Sequence, residues 1–212
     1  MSPPTPLPIH EWKRKFPPPP PPPSPSPSQP DTGTEEEEEY LISTDHSLLC
    51  LPAINAAFAT EAVYWANPIP LPALQQAVDH SLCFGVYRYT PSDHQAVTTQ
   101  APQLQQQEQQ QEQQRALTQI GFGRLVTDHT TFAYLTDVYM LPEYQGSGMG
   151  TWLLECIDEW AAGDGKEYFR RLMLVTVGER AEGYYRRVMG METMGGQGGR
   201  VAMIKKGKGA TF

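Results

Sequence analysis

Cysteine is scarce in this sequence. Cys50, Cys83 and Cys156 lie far apart, are odd in number, form no CxxC pair and have no histidine at metal-ligand spacing. A disulfide framework and a zinc site are therefore not expected, and a reducing compartment fits. No apolar run approaches the ~18 residues of a membrane span. The first residues, Met1 to Phe16, lack the apolar stretch of a secretory signal. The expectation is an intracellular protein, cytoplasmic or nuclear, with no membrane partner. Positive charge is also in deficit: the formal net charge is -8. An acidic whole argues against a nucleic-acid partner.

The charge is unevenly spread. Residues 1–40 hold seven acids against three bases, and residues 41–165 hold thirteen against three. Residues 166–212 reverse the sign, with ten bases against four acids. A basic C-terminal part is compatible with a small phosphorylated ligand, and equally with solvated surface charge.

Two segments have too little apolar content to build a core. Pro17 to Pro23 is an unbroken proline run, and Glu35 to Glu39 is a block of like charge. The first favours polyproline II and the second repels itself. Residues 1–40 are therefore expected to form a disordered tail, with the prolines either a spacer or a ligand for an SH3- or WW-type partner. A Gln-rich stretch, about residues 90–117, reads as a loop inserted between two strands, since closure entropy grows only slowly with loop length. One globular domain is then expected over 41–212.

Within that domain, periodicity gives the element order. Ile42 to Asp45 ends a strand. Leu48, Leu51, Ile54 and Phe58 recur at helical spacing, and Pro72 opens a second short helix. Strands follow at 82–89, 119–126 and 132–141, the last two joined as a hairpin. Residues 151–162 form a helix stopped by Gly163, and 172–177 is the continuous apolar run of a strand covered on both faces. A helix over 180–189 and two closing strands complete a mixed α/β fold.

The chemistry concentrates in Leu135-Thr-Asp-Val-Tyr-Met-Leu-Pro-Glu-Tyr-Gln-Gly-Ser-Gly-Met-Gly150, where a strand runs through a glycine-rich turn into a helix. Glycines let backbone N–H groups converge, and the helix start adds partial positive charge, so a phosphate is the natural guest. A phosphate-binding loop of the Walker type would need a lysine that is absent. A dinucleotide fingerprint would need glycine where Thr151 stands. What remains is Gln145-x-x-Gly148-x-Gly150. At this motif the sequence resembles the GNAT superfamily of acyl-CoA-dependent N-acyltransferases, and the resemblance covers roughly residues 41–205 without the Gln-rich loop.

The resemblance implies a GNAT-like, mostly antiparallel central sheet flanked by helices, with splayed central strands. It implies acetyl-CoA as co-substrate, no metal, and an amine acceptor, of a small molecule or else of a peptide or protein. It assigns the pyrophosphate to backbone amides of Gln145, Gly146, Ser147, Gly148, Met149, Gly150 and Thr151, and the pantetheine to backbone groups of Val138 and Met140. Arg186 or Arg187 would neutralise CoA phosphates. Glu182-Gly-Tyr-Tyr-Arg-Arg-Val-Met-Gly-Met191 resembles the helix that supplies an acid to the leaving thiolate. Tyr185 is the match, with one residue more before Gly190 than the family pattern has, so Tyr184 competes. Asp137, a carboxylate in an apolar strand, is the candidate base, against a water chain or a merely paired aspartate. Glu143, Asp128 and His129 are weaker candidates. Tyr64, Trp65, Tyr87, Phe132 and Tyr134 supply aromatic surface for an acceptor pocket or for the core. The competing function is a catalytically silent acyl-CoA-binding module with a docking tail.

Overall fold

The computed structural model describes residues 8–19, 37–90, 116–197 and 199–208. Eight strands form a single sheet: β1 (Glu11–Phe16), β2 (Glu38–Ser43), β3 (Leu82–Thr90), β4 (Ala116–Thr127), β5 (Phe132–Met140), β6 (Arg171–Val177), β7 (Glu192–Gln197) and β8 (Arg200–Lys206). Their order across the sheet is β1-β2-β3-β4-β5-β6-β8-β7. Every neighbouring pair is antiparallel except β5 and β6, which run parallel. The helices are α1 (Leu51–Phe58), α2 (Leu71–Asp79), α3 (Met149–Ala162) and α4 (Glu179–Met189). This is the mixed, mostly antiparallel α/β architecture expected from the sequence.

Alternation along the strands divides the core in two. Phe84, Val86, Ile120, Ala133, Leu135, Leu172 and Leu174 face Trp152, Leu153, Ile157 and Trp160 of α3. Cys83, Phe122 and Tyr139 face the other way, toward Ile54 and Phe58 of α1 and Leu74 and Val78 of α2. Each of the short helices α1 and α2 carries a proline in its first turn, where no N–H bond is lost. Helix α4 ends at Gly190 with φ 63°, the left-handed position that glycine occupies without a Cβ penalty, and buried Met191 follows.

One expectation is corrected. The boundary at residue 41 excluded a strand: β1 pairs with β2 over six register positions, from Glu11–Ser43 to Phe16–Glu38. Phe16 is buried against Trp152 and Tyr40, at centroid distances of 5.5 and 5.9 Å. Arg14 bonds Glu155 on α3 at 3.0 Å. Glu38, expected within a solvated acidic block, accepts two bonds from Arg88, at 2.8 and 2.6 Å. The polar pattern of Glu11–Phe16 hid an edge strand, because at a sheet edge much of each residue stays wet. Residues 20–36 and 91–115, which carry most of the proline run and the Gln-rich loop, lie outside the described residues. Thr90 and Ala116 are register partners, so the ends of that loop meet across β3 and β4.

Candidate active site

Strand β5 pairs very differently on its two edges. Against β4 the register runs from Thr127–Ala133 to Gly121–Met140. It shifts once: Phe122 faces Tyr139 and Arg124 faces Thr136, so Gly123 opposes both Asp137 and Val138. That is a β-bulge, and Asp137 adopts φ 55° there. Aspartate tolerates the left-handed region better than most residues, at some cost in strain. Its carboxylate is held by the guanidinium of Arg124, whose Nε donates at 2.7 Å, and by the Thr136 hydroxyl at 3.1 Å. A second arm of Arg124 reaches the Ser81 hydroxyl at 3.1 Å.

Against β6, β5 shares only three register pairs: Phe132–Arg171, Ala133–Leu172 and Tyr134–Met173. Beyond them the strands part. The opening is a groove of about 630 Å³ lined by Asp137 and Val138 of β5, Leu174 to Val177 of β6, and Tyr184 and Tyr185 of α4. Tyr64 and Trp65, before α2, form its rim. Leu141 N–H bonds Ile120 of β4. By alternation, the N–H of Met140 points to the opposite edge, on the β6 side.

The glycine turn lies at the end of β5. Pro142–Tyr144 makes a short 3-10 turn, and α3 starts at Met149 with Gly148 as its cap, φ 93°. Gly146 is also left-handed, φ 81°, with open space where a Cβ would stand. Among the described residues, the N–H groups of Gly146, Ser147, Gly148, Gly150 and Thr151 have no hydrogen-bond partner. Two of the expected donors are already engaged. Gln145 N–H bonds Pro142, and Met149 N–H bonds the Ser147 hydroxyl at 3.4 Å. The Gln145 side chain serves the geometry instead, donating to the Met140 carbonyl at 3.0 Å and tying turn to strand. Phe16 lies beneath, its ring 3.7 Å from where a Gly148 Cβ would be. Unpaired donors at a helix start are the arrangement that suits an anion.

Two tyrosines of α4 reach this region. The Tyr184 hydroxyl is 3.3 Å from the Thr151 hydroxyl and 3.4 Å from where a Gly150 Cβ would stand, so α4 meets α3 at its first turn. Tyr185 lines the groove, and burial, with smaller contributions from Tyr184 and Tyr64, pushes its phenol up to about 12. Its proton is thus retained throughout the neutral range.

The other candidates are elsewhere. Asp128 accepts backbone N–H bonds from Thr130, Thr131 and Phe132, which close the β4–β5 turn. The Thr131 hydroxyl and those amides hold its carboxyl far below the usual range. His129, in the same turn, is lowered by burial and by Lys166. Both stand at the far end of β5 from the glycine turn. Glu143 is exposed on the short turn. Arg186 is engaged by Glu182 at 2.8 Å, and Arg187 lies over the Tyr184 ring at 5.7 Å. Tyr87 is core, with its ring folded over Gly85 and its hydroxyl without a partner. The sequence did not point to Arg124. Its signal was a lone cation in an apolar strand, in the hairpin arm facing Asp137.

Residues 115–191 match the model of the Acetyltransferase (GNAT) family. A Gibberella zeae protein, provisionally named acetyltransferase FG08082, is 41% identical over 138 residues, which is 65% of this chain and 72% of that protein. This chain belongs to the GNAT acetyltransferase family. It is an N-acetyltransferase by that membership. A crystal structure of a Xanthomonas campestris pv. campestris protein, provisionally assigned to the same family, is 32% identical, covers 70% of this chain and 81% of its own, and has a TM-score of 0.48. A domain from Methanocaldococcus jannaschii shares the fold at TM-score 0.51 and 8% identity, over 74% of this chain and 91% of its own. The family match spans β4, β5, the glycine turn, α3, β6 and α4, the elements that frame the groove of this GNAT domain. Among its described residues no cluster of three or more His, Cys, Asp or Glu could hold a metal. Nor is any helix there long and apolar enough to cross a membrane.

Proposed function

We propose that this GNAT domain transfers the acetyl group of acetyl-CoA to an amine, of a small molecule rather than of a protein, by direct attack within a ternary complex. The observation that carries this reading is the parting of β5 and β6 after three register pairs, with the unpaired amides of the glycine turn following the end of β5. The pyrophosphate oxygens would accept from the N–H groups of Gly146, Ser147, Gly148, Gly150 and Thr151. The pantetheine would lie along the free edge of β5 beside Val138 and Met140, as an added strand does.

In this mechanism the neutral amine attacks the thioester carbonyl, the C–N bond forms and the C–S bond breaks. The Met140 N–H, on the edge of β5 away from β4, stabilises the oxygen as it gains charge, as a fixed donor at low reorganisation cost. Tyr185, kept as the neutral phenol by burial, donates its proton to the departing thiolate and regains one from water. The amine loses its own proton to water. Asp137 serves as a positioning residue, because its carboxylate is committed to Arg124 and Thr136 and its backbone forms the bulge.

The test is thiol release from acetyl-CoA across a panel of primary amines, with acetyl-CoA binding followed by calorimetry. Amine-dependent release supports the proposal. Tight binding with no release would return the domain to a silent acyl-CoA module.

A further inference from the structure

The acceptor side of the groove has a chemical character of its own. Tyr134 is opposite Met173, and Val177 is opposite Arg200. Directly opposed residues project to one face, and Val175, two positions from each of Met173 and Val177, joins them. That face is not covered by α3, and Val175 is 50% and Val177 43% exposed. Across the groove stand Tyr64 and Trp65, 67% and 47% exposed, their rings in edge-to-face contact at 5.0 Å. Exposed apolar residues gathered along one groove mark a binding surface.

The groove's charges are few. Only Asp137 and Arg200 among its lining residues are ionic. Asp137 is neutralised by Arg124, with 2.7 Å between guanidinium nitrogen and carboxylate oxygen. Arg200 is exposed, and its side chain has no hydrogen bond or ion pair among the described residues. Among the described residues the groove thus presents one uncompensated cation and no uncompensated anion. A polyamine would bring a second ammonium to a surface with no carboxylate to receive it. A carboxylate would meet the forked donors of a guanidinium, which match its two oxygens.

Building on the acetyl transfer proposed above, we infer that the acceptor is a small amine with an aromatic or branched aliphatic body and a carboxylate, the carboxylate taken by Arg200 and the body packed against Tyr64 and Trp65. Arg200 is in this account a specificity residue, with no part in the acyl transfer itself.

The experiment uses the full chain, acetyl-CoA and matched acceptors: phenylalanine against phenethylamine, leucine against isopentylamine, and spermidine as the polyamine. The carboxylated member of each pair is expected to have the higher kcat/KM by about tenfold, the size of one charge-assisted contact at a half-exposed site. Spermidine should be the poorest acceptor. Arg200→Ala should erase the preference by raising KM for the amino acids while leaving phenethylamine unchanged. A preference arising only from the weaker basicity of an α-amino group would survive Arg200→Ala, and that survival overturns the inference. So does faster turnover of spermidine or phenethylamine in the unaltered protein; in both cases the acetyl transfer stands. Turnover of none of the amines removes the acetyl transfer itself, and the inference with it.

Discussion

The two edges of β5 make opposite use of the same strand. Toward β4 it is paired nearly from end to end, with one bulge at Asp137 and Val138. Toward β6 it is paired for three residues and then open. The closed edge is what makes the open one tolerable. Unpaired strand edges cost stability or invite association, and β5 carries one because β4, the α3 core and the Arg124–Asp137 pair hold it in place from the other side. The groove is thus a local lapse of pairing, kept rigid by its surroundings. The same economy recurs at the glycine turn that follows β5: among the described residues five backbone donors are left unpaired while Gln145, Ser147 and Phe16 fix the backbone that carries them.

Four changes would break or sharpen that contrast. The largest effect is expected at the end of the open edge. Gly148→Glu places a carboxylate among the free amides and a side chain at φ 93°, and acetyl-CoA binding should fall at least about a hundredfold by the loss of an anion site. Calorimetry checks this, and unchanged affinity would show that the turn does not hold the pyrophosphate. Next is the support beneath the turn. Phe16→Ala empties a buried aromatic site and should cost about 3 kcal/mol of stability in denaturant unfolding, with weaker acetyl-CoA binding. Full stability in that variant would mean that β1 is dispensable and that the boundary belongs near residue 41 after all.

Tyr185→Phe acts on the chemistry. Turnover should drop about tenfold or more, as for loss of a general acid, with acetyl-CoA affinity nearly unchanged. Equal loss of both would assign Tyr185 to packing and transfer the role to Tyr184. The smallest effect separates two roles of Asp137. Asp137→Gly retains the left-handed backbone and should keep turnover within about threefold, whereas Asp137→Ala should be less stable than the glycine variant by about 1 kcal/mol, the cost of a Cβ at positive φ. Collapse of turnover in the glycine variant would identify the carboxylate as the base.

Much of this was legible in the residues. The positions of α1, α2, α3, α4 and the strands from β3 onward agree with their periodicity and punctuation to within a few residues, because hydrophobic alternation and Gly or Pro stops act locally. The glycine turn was legible for the same reason: a strand, Pro142 and three spaced glycines specify a run of exposed amides whatever surrounds them. The strand at Glu11–Phe16 was not. Its charged pattern looks like a tail, and only pairing with a segment more than twenty residues away makes it a strand. Asp137 was visible as an ion in an apolar strand, and Arg124 was not singled out. Their union depends on a bulge that shifts the register by one residue.

By itself the sequence determined the glycine turn and the order of elements around it, since both follow from short-range backbone chemistry. The tertiary structure alone decided where β5 and β6 part, that Asp137 is paired, and that Arg200, its side chain unpaired among the described residues, lines one groove with Tyr64 and Trp65. Those features depend on which distant residues are brought face to face, and neither propensity nor spacing encodes that.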